Sequence, residues 1–393
     1  MSGPRIAHII GDLNGFGGTE TTLLRYLSAS AIPLSCHRVY VLKSIGEVDT
    51  LGAQMVAAGV SVRALNQRRG LLSLSGTLQL RRELRQFQPD VISAWLYYPC
   101  LLSALLVFLM KARPALVWHI RSLPYQRPFK KPGRFLVQKL LAPLSSRLGP
   151  LLVSNSRAAM RAHAGIGFAG GDGDWAIIHN GINAEQFYPC LDDRLAVRRE
   201  WGLDDDAIVL GCVGRVVPEK AYPVFFAALP RLLAQLAPEI AARLHVVVIG
   251  NGAEENNPAF FNMACTGLPA CRLHLLGKRP DVARLLRGFD VYILPSVSES
   301  FPNALVEAMA SGLACVSTDA GECREVLGAD EFVVRAGDAE RLAAAMLTMV
   351  ALEPAARAQI GARNRERAAE LFVLKAMTAK FDLLFERAAA GQI

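Results

Sequence analysis

Short aliphatic runs alternate with helix-like stretches along nearly the whole chain, and they do so in two series. The first series opens with Arg5-Ile-Ala-His-Ile-Ile and continues at residues 38–42, 60–64, 91–94, 115–120 and 151–154, with stretches of helical spacing such as 19–30 and 76–87 between them. The second opens with Ile208-Val-Leu-Gly-Cys-Val-Gly and continues at 244–249, 273–276, 291–294, 315–317 and 332–334. A strand apolar at almost every position is buried on both faces, as in a parallel sheet covered by helices. The alternation predicts the doubly wound α/β class. A chain of 393 residues is long for one core of this kind, so two domains are expected. The charged segment 189–206 marks the join. The predicted division is 1–190, 191–370 and a terminal stretch, 371–393, carried by one helix over about 368–390. Leu371, Leu374, Met377, Phe381 and Leu384 give that helix its apolar stripe.

Composition narrows the class. Hydrophobic residues make up 52% and charged residues 20%, which excludes an intrinsically disordered chain. The eight cysteines form no CxxC pair and no zinc spacing, and several sit inside apolar strands. Reduced core thiols and a cytoplasmic location are the expectation. Residues 1–11 lack the long apolar region and cleavage site of a signal peptide. The most apolar segment, 101–110, falls short of the roughly 20 residues that span a bilayer and is expected to be a core helix. The net charge of +8 is uneven: residues 1–190 hold 21 Lys+Arg and 9 Asp+Glu (+12), and the rest hold 22 and 26 (−4). Between Asp90 and Asp172 there are eleven Lys/Arg and no acid. Within that stretch Arg121, Arg127, Lys130, Lys131, Arg134 and Lys139 mix with Tyr125, Phe129, Phe135 and Leu136. Cations beside apolar side chains suit an anionic membrane face, or a loop that meets the phosphates of an acceptor. No nucleic-acid module is present, so no nucleic-acid partner is expected.

The densest chemistry lies in Glu299-Ser-Phe-Pro-Asn-Ala-Leu-Val-Glu307. It follows an apolar run read as a buried strand and enters a helix read over 304–311, closed by Gly312. Glu299 then lies in a strand-to-helix loop, and Glu307 about two turns into the helix. In an open α/β sheet such loops stand at the carboxyl edge, where ligands bind. The first amides of the helix attract phosphate. A carboxylate at each end of a phosphate-binding helix start suits a ligand with hydroxyls on both sides of a phosphate bridge, such as a nucleotide-sugar. Earlier, Gly214-Arg215-Val-Val-Pro-Glu-Lys220 follows the first strand of the second series. A diphosphate leaving group gains charge as its bond breaks, and fixed cations stabilise that charge.

These segments resemble glycosyltransferase family 4, retaining enzymes of the GT-B fold. Leu294 to Gly321 is similar to the family's donor-binding motif, and Gly214-Arg215…Lys220 to its diphosphate-binding segment, although the family's usual Gly after the Lys is Ala221 here. Gly17-Gly18-Thr19-Glu20 resembles the family's Gly-Gly-x-Glu opening, and Trp118-His119-Ile-Arg121 a strand end whose His contacts the donor sugar. Ser154-Asn155-Ser156 and Asn180-Gly181 resemble later parts of its first domain. The resemblance implies two Rossmann-like domains facing across a cleft, with the terminal helix crossing back to the first. The first domain would bind the acceptor and the second the donor.

It also implies site roles. Arg215 and Lys220 would neutralise the diphosphate, Glu299 would bind the donor sugar, and Glu307 the ribose hydroxyls. Gly17 and Gly18, with the backbone of Phe301, Pro302, Asn303, Ala304 and Leu305, would contact sugar and phosphate, and His119 would reach the reacting carbon. The expected partners are a nucleotide-sugar donor and a glycan or lipid-linked acceptor, with no metal and no cofactor, and with peripheral attachment to the inner membrane face. A GT-B phosphorylase, a nucleotide-sugar epimerase and a non-catalytic binding subunit share the fold, and the Glu299/Glu307 and Arg215/Lys220 sets argue against each. Two features argue against an NAD-type oxidoreductase: the first glycine loop is not G-x-G-x-x-G, and the second strand ends in Lys43-Ser44 rather than an acid. Asp172/Asp174 and Asp204/Asp206 lie in turn-like segments and are read as solvated acids, not metal ligands.

Overall fold

The computed structural model describes residues 3–15, 17–46, 50–67, 73–110, 113–124, 132–170 and 175–392. The chain divides into two compact units, Met1–Gly181 with Leu374–Ile393, and Ile182–Val373. The divisions thus fall at 181/182 and 373/374, where the sequence suggested 190/191 and 370/371.

The first unit carries a seven-stranded parallel sheet. Its strands are β1 (Ile6–Ile10), β2 (His37–Val41), β3 (Ser61–Ala64), β4 (Val91–Trp95), β5 (Ala115–His119), β6 (Leu151–Ser154) and β7 (Trp175–Ile177). Their order is β3-β2-β1-β4-β5-β6-β7. The second unit carries six: β8 (Ile208–Val213), β9 (Leu244–Ile249), β10 (Leu273–Leu275), β11 (Val291–Leu294), β12 (Ala314–Thr318) and β13 (Val333–Val334), in the order β10-β9-β8-β11-β12-β13. In each sheet the order reverses direction between its first and fourth strands. The loops leaving β1 and β4, and those leaving β8 and β11, therefore open the crevice in which this fold class binds ligands.

Period-2 geometry explains how both faces of the first sheet are buried. Ile6 and Ile10 of β1 pack with Tyr26, Val91 and Trp95 on one face, while Ala7 and Ile9 pack with Tyr40, Leu80 and Ile92 on the other. The second sheet and its helices share one continuous core. The apolar segment near residue 101 is a core helix, Tyr97–Val107. Among the described residues no helix is long and apolar enough to cross a membrane.

The single terminal helix expected over 368–390 is two helices, Pro354–Leu371 and Leu374–Ala389. The break has a local cause. Phe372 leaves helical geometry at φ −126°, its ring meets Phe301 edge-on at 5.5 Å, and its carbonyl accepts from Ile182 N at 2.8 Å. Leu371 ends the earlier helix, and the other stripe residues belong to the later one. That last helix lies on the first unit. Phe381 and Phe385 are fully buried with Ile6, Val91 and Trp95. Asp382 accepts from Tyr26 Oη (2.9 Å), Ser30 Oγ (2.6 Å) and Ala31 N (2.9 Å). Those bonds fix the helix rotation that a stripe of apolar contacts would leave loose.

Candidate active site

In the second unit, the loops after β8 and β11 are stitched together at the switch point. The Gly214–Lys220 loop ends in a single 3-10 turn, Pro218–Lys220. The carbonyl of Glu219 accepts from Val297 N at 2.9 Å, which binds this turn to the loop after β11. Across that join Lys220 Nζ meets Glu299 Oε1 at 2.5 Å, and Ser296 Oγ donates to the same oxygen at 2.7 Å. Both side chains are largely covered, 23% and 11% exposed. Two residues expected to act on different parts of a ligand are thus each other's partners.

Close backbone approach makes the geometry possible. Gly321 has φ +62°, and a Cβ there would stand 1.7 Å from the Glu299 carbonyl oxygen. Gly250 has φ +154°, and a Cβ there would stand 2.0 Å from the Gly214 carbonyl oxygen. Tyr222 Oη donates to that Gly214 oxygen at 2.7 Å; burial, followed by nearby Cys212 and Glu299, raises the Tyr222 phenol well above its ordinary range. Ala221, where the resemblance leads one to expect glycine, adopts φ +46°, ψ +40°. The backbone keeps the glycine conformation with an alanine in it, at a cost of about 1–2 kcal/mol.

Arg215 stands exposed in the same loop and makes no hydrogen bond or ion pair among the described residues. Glu307 is half-buried in the Asn303–Ala310 helix, which starts at Asn303 rather than 304. Three of the backbone contacts expected from residues 301–305 need correction. Pro302 has no N–H to give and serves as the N-cap. The amides of Asn303 and Leu305 already donate to Phe301 O and Pro302 O, each at 3.0 Å. The Leu305 side chain is wholly buried, Phe301 nearly so, and Ala304 half-buried.

In the first unit, Gly17 caps and Gly18 begins the Gly18–Ala29 helix. A Cβ on Gly17 would collide with the Glu20 carboxylate, which folds back over it. His119 ends β5, yet its ring is 0% exposed. It stacks on Trp95 at 3.9 Å and 2°, bonds Ser93 Oγ through Nε2 at 2.9 Å, and lies under Phe381 and Phe385 of the last helix. Burial and then Arg121 push its pKa well below 6.5. The last helix covers the ring, and its Nδ1 is buried without a hydrogen-bond partner among the described residues. Ser93 also bonds His8 Nδ1 (3.1 Å), and His8 Nε2 meets His37 Nδ1 (3.1 Å), so His119 ends a buried polar row of three histidines and a serine.

Residues 16–186 match the family described as Glycosyltransferase Family 4, and residues 207–351 match Glycosyl transferases group 1. The chain belongs to glycosyltransferase family 4. Among its curated family relatives, D-inositol 3-phosphate glycosyltransferase of Stackebrandtia nassauensis is 40% identical over 148 residues, 36% of this chain and 32% of that protein. The UDP-Gal:alpha-D-GlcNAc-diphosphoundecaprenol alpha-1,3-galactosyltransferase of Escherichia coli is 32% identical over 143 residues, 36% of this chain and 35% of that protein. The matched segment thus spans about a third of the length of each of these two relatives. Anabaena HepE, solved in complex with UDP and glucose, superposes with a TM-score of 0.79 at 20% identity, over 97% of this chain and 99% of its own, which establishes the GT-B fold.

Within this family 4 chain, sequence reasoning passed over Ser296, Tyr222 and Gly321 as site residues, and it placed Arg121 only in a basic stretch suited to a membrane face or to the phosphates of an acceptor. Gly321 closes the recognised stretch, and Arg121 stands two residues after His119, but neither carries a pattern that marks its neighbour in space. Asp204, Asp205 and Asp206 are exposed, with Asp206 paired to Arg243 at 2.8 Å. Asp172 and Asp174 lie outside the described residues.

Proposed function

We propose that the chain is a retaining, metal-independent glycosyltransferase that moves a sugar from a nucleoside diphosphate sugar to an acceptor hydroxyl, with the second unit holding the donor and the first the acceptor. The observation that carries this reading is the Lys220–Glu299 pair, with Arg215 beside it, on the two loops that leave the second sheet at its switch point. A dianionic diphosphate draws Lys220 and Arg215, while Glu299, held by Ser296, accepts from sugar hydroxyls. Glu307 takes the ribose hydroxyls. In the transfer, the bond from the anomeric carbon to the diphosphate oxygen breaks. The acceptor oxygen bonds to the same face of that carbon, and its proton passes to the departing phosphate oxygen. Cations in place of a metal stabilise that oxygen. HepE binds UDP, which supports a uridine donor.

The acceptor is a glycan or lipid-linked glycan of surface polysaccharide assembly, met at the inner membrane face. Phe135, Leu136 and Leu140 stand exposed on the Pro132–Leu148 helix, with Lys139 Nζ 4.8 Å from the Phe135 ring centroid. The Tyr97–Val107 helix packed against it ends beside exposed Phe108 and Leu109. Tyr125, Arg127, Phe129, Lys130 and Lys131 lie outside the described residues.

A thermal-shift screen of nucleotide-sugars names the donor, since a ligand that binds the native state raises its melting temperature. Turnover of that donor after exhaustive chelation then tests the mechanism. Activity abolished by chelation and restored by Mg or Mn would remove the metal-free reading. Retention of vesicle binding by a Phe135→Ser/Leu136→Ser variant, on vesicles rich in phosphatidylglycerol, would remove the membrane contact.

A further inference from the structure

The first unit buries a cation that the described residues leave short of acceptors. Arg121 lies just beyond β5 and is 4% exposed. Its Nη2 donates to Asn180 Oδ1, while Nε and Nη1 have no partner among the described residues. The other buried arginines of the described chain supply a control. Arg198 reaches the Asp290 carboxylate and three carbonyls, Arg287 the Asp193 carboxylate and two carbonyls, and Arg357 two carbonyls. Structural burial of a guanidinium in this protein comes with several acceptors, as the desolvation of a charge requires. Arg121 has one.

Its position is also distinctive. The guanidinium carbon lies 5.7 Å from the ring centroid of Trp95, the last residue of β4, and 5.8 Å from that of Phe381. Asn180 Oδ1, which it shares, also accepts from Thr22 Oγ1 at 3.2 Å, and Thr22 Oγ1 reaches Gly18 O at 2.7 Å. The charge therefore reaches back from β5 to the end of β4 and the opening turns of the Gly18–Ala29 helix, which follows β1. Those are the two strands between which this sheet reverses order. Through Asn180 and Thr22 the cation is tied to the helix that follows β1, at the switch point where the fold class binds ligands. Leu96, directly after Trp95, has φ +69°, ψ 177°, a conformation otherwise reserved for glycine. Strain of this kind accumulates at ligand sites.

We propose that Arg121 is the first unit's substrate-binding cation, its Nε and Nη1 edge, buried without a partner among the described residues, receiving a phosphate oxygen of the substrate. This rests on the transferase reading above. The phosphate belongs either to the donor diphosphate or to a phosphorylated, lipid-linked acceptor.

The test uses the full chain and the donor found by the screen. Arg121→Met removes an unsatisfied buried charge while keeping bulk, so the ligand-free protein keeps or raises its melting temperature, and transfer falls about a hundredfold. Donor hydrolysis without acceptor separates the sources: a tenfold or larger fall assigns the phosphate to the donor. Unchanged hydrolysis with a tenfold rise in acceptor KM assigns it to the acceptor. In Arg121→Ala, added guanidinium restores transfer where sodium at equal ionic strength does not, which a packing defect would not allow. Transfer by Arg121→Met within twofold of wild type overturns the proposal. If Arg121→Met does not fold, Arg121→Lys decides: full transfer overturns it, and a tenfold loss at unchanged melting temperature supports it. Wild-type protein that transfers no sugar from any nucleotide-sugar overturns the functional reading and this inference together; a transferring wild type beside an equally active variant overturns this inference alone.

Discussion

The two units share a strand order and hold their charges in opposite ways. In the second, Lys220 and Glu299 neutralise each other, Ser296 and the Glu219 carbonyl brace them, and every buried arginine has several acceptors. In the first, the buried polar groups include a histidine row and a guanidinium short of partners among the described residues. The contrast teaches that one topology can build a ligand site from self-satisfied charges or from deferred ones. The first kind survives empty at little cost, and the second depends on what arrives.

The sharpest way to break that contrast is to unpair the second unit. Lys220→Ala leaves the Glu299 carboxylate covered and opposed only by Ser296, so the variant loses ligand-free stability where Arg121→Met does not. Turnover falls at least about a hundredfold, on the order of 3 kcal/mol of transition-state stabilisation, and Glu299→Gln matches it. Wild-type rates in folded variants would dissolve the site. Glu307→Gln raises donor KM as well, because ribose contacts precede the chemical step.

Next in size is Gly321→Ala. The new methyl would meet the Glu299 carbonyl in a left-handed conformation, so a loss of roughly 2–3 kcal/mol is expected together with displaced Glu299. Denaturant unfolding and turnover measured on one preparation check both parts; a melting curve that overlays wild type would show that the close approach is relaxed in solution.

Acid sharpens the comparison from the other side. Burial holds His37 and His163 at about 4, and His8 and His119 well below 6.5. These folded values lie below the unfolded one, so the unfolded chain takes up protons first. The stability involved is intact above about pH 6.5 and is lost as pH falls toward 4, by up to about 1.4 kcal/mol per pH unit for each histidine. All four belong to the first unit, whereas His245 and His274 of the second are only partly buried and shifted less far. Hydrogen exchange at pH 5 should open the β1, β4 and β5 amides before those of β8 and β11. The reverse order would show that the histidine row does not govern acid stability.

The smallest effect is Ala221→Gly. Relief of the left-handed alanine and the added freedom of the unfolded chain nearly cancel, leaving a change within about 1 kcal/mol of zero. A larger gain in melting temperature would mean that the alanine stores strain in the Lys220 turn.

Much of this was legible from sequence. The runs at 208–214, 244–249 and 291–294 are apolar at nearly every position, and a doubly covered parallel strand has few other ways to read. Glu299 and Lys220 were found as members of separate loops. What the sequence hid was whatever depends on distance across the sheet: that Lys220 and Glu299 touch, that Gly321 is pressed on the Glu299 carbonyl, and that His119 is sealed under a helix more than 250 positions away in the chain. The terminal helix was misread as one because its 3.6-residue stripe runs on through Leu371 and Leu374. Only the Phe372 contacts with Phe301 and Ile182 break it.

The return of Leu374–Ala389 to the first unit has a consequence for synthesis. The second unit is one continuous segment, Ile182–Val373, and can close as soon as that segment has left the ribosome. The first unit, begun earlier, waits with the apolar face of β1 and β4 bare until Phe381, Asp382 and Phe385 emerge. The half of the protein that is made first is finished last, and a chaperone that guards the nascent chain would have that face to hold.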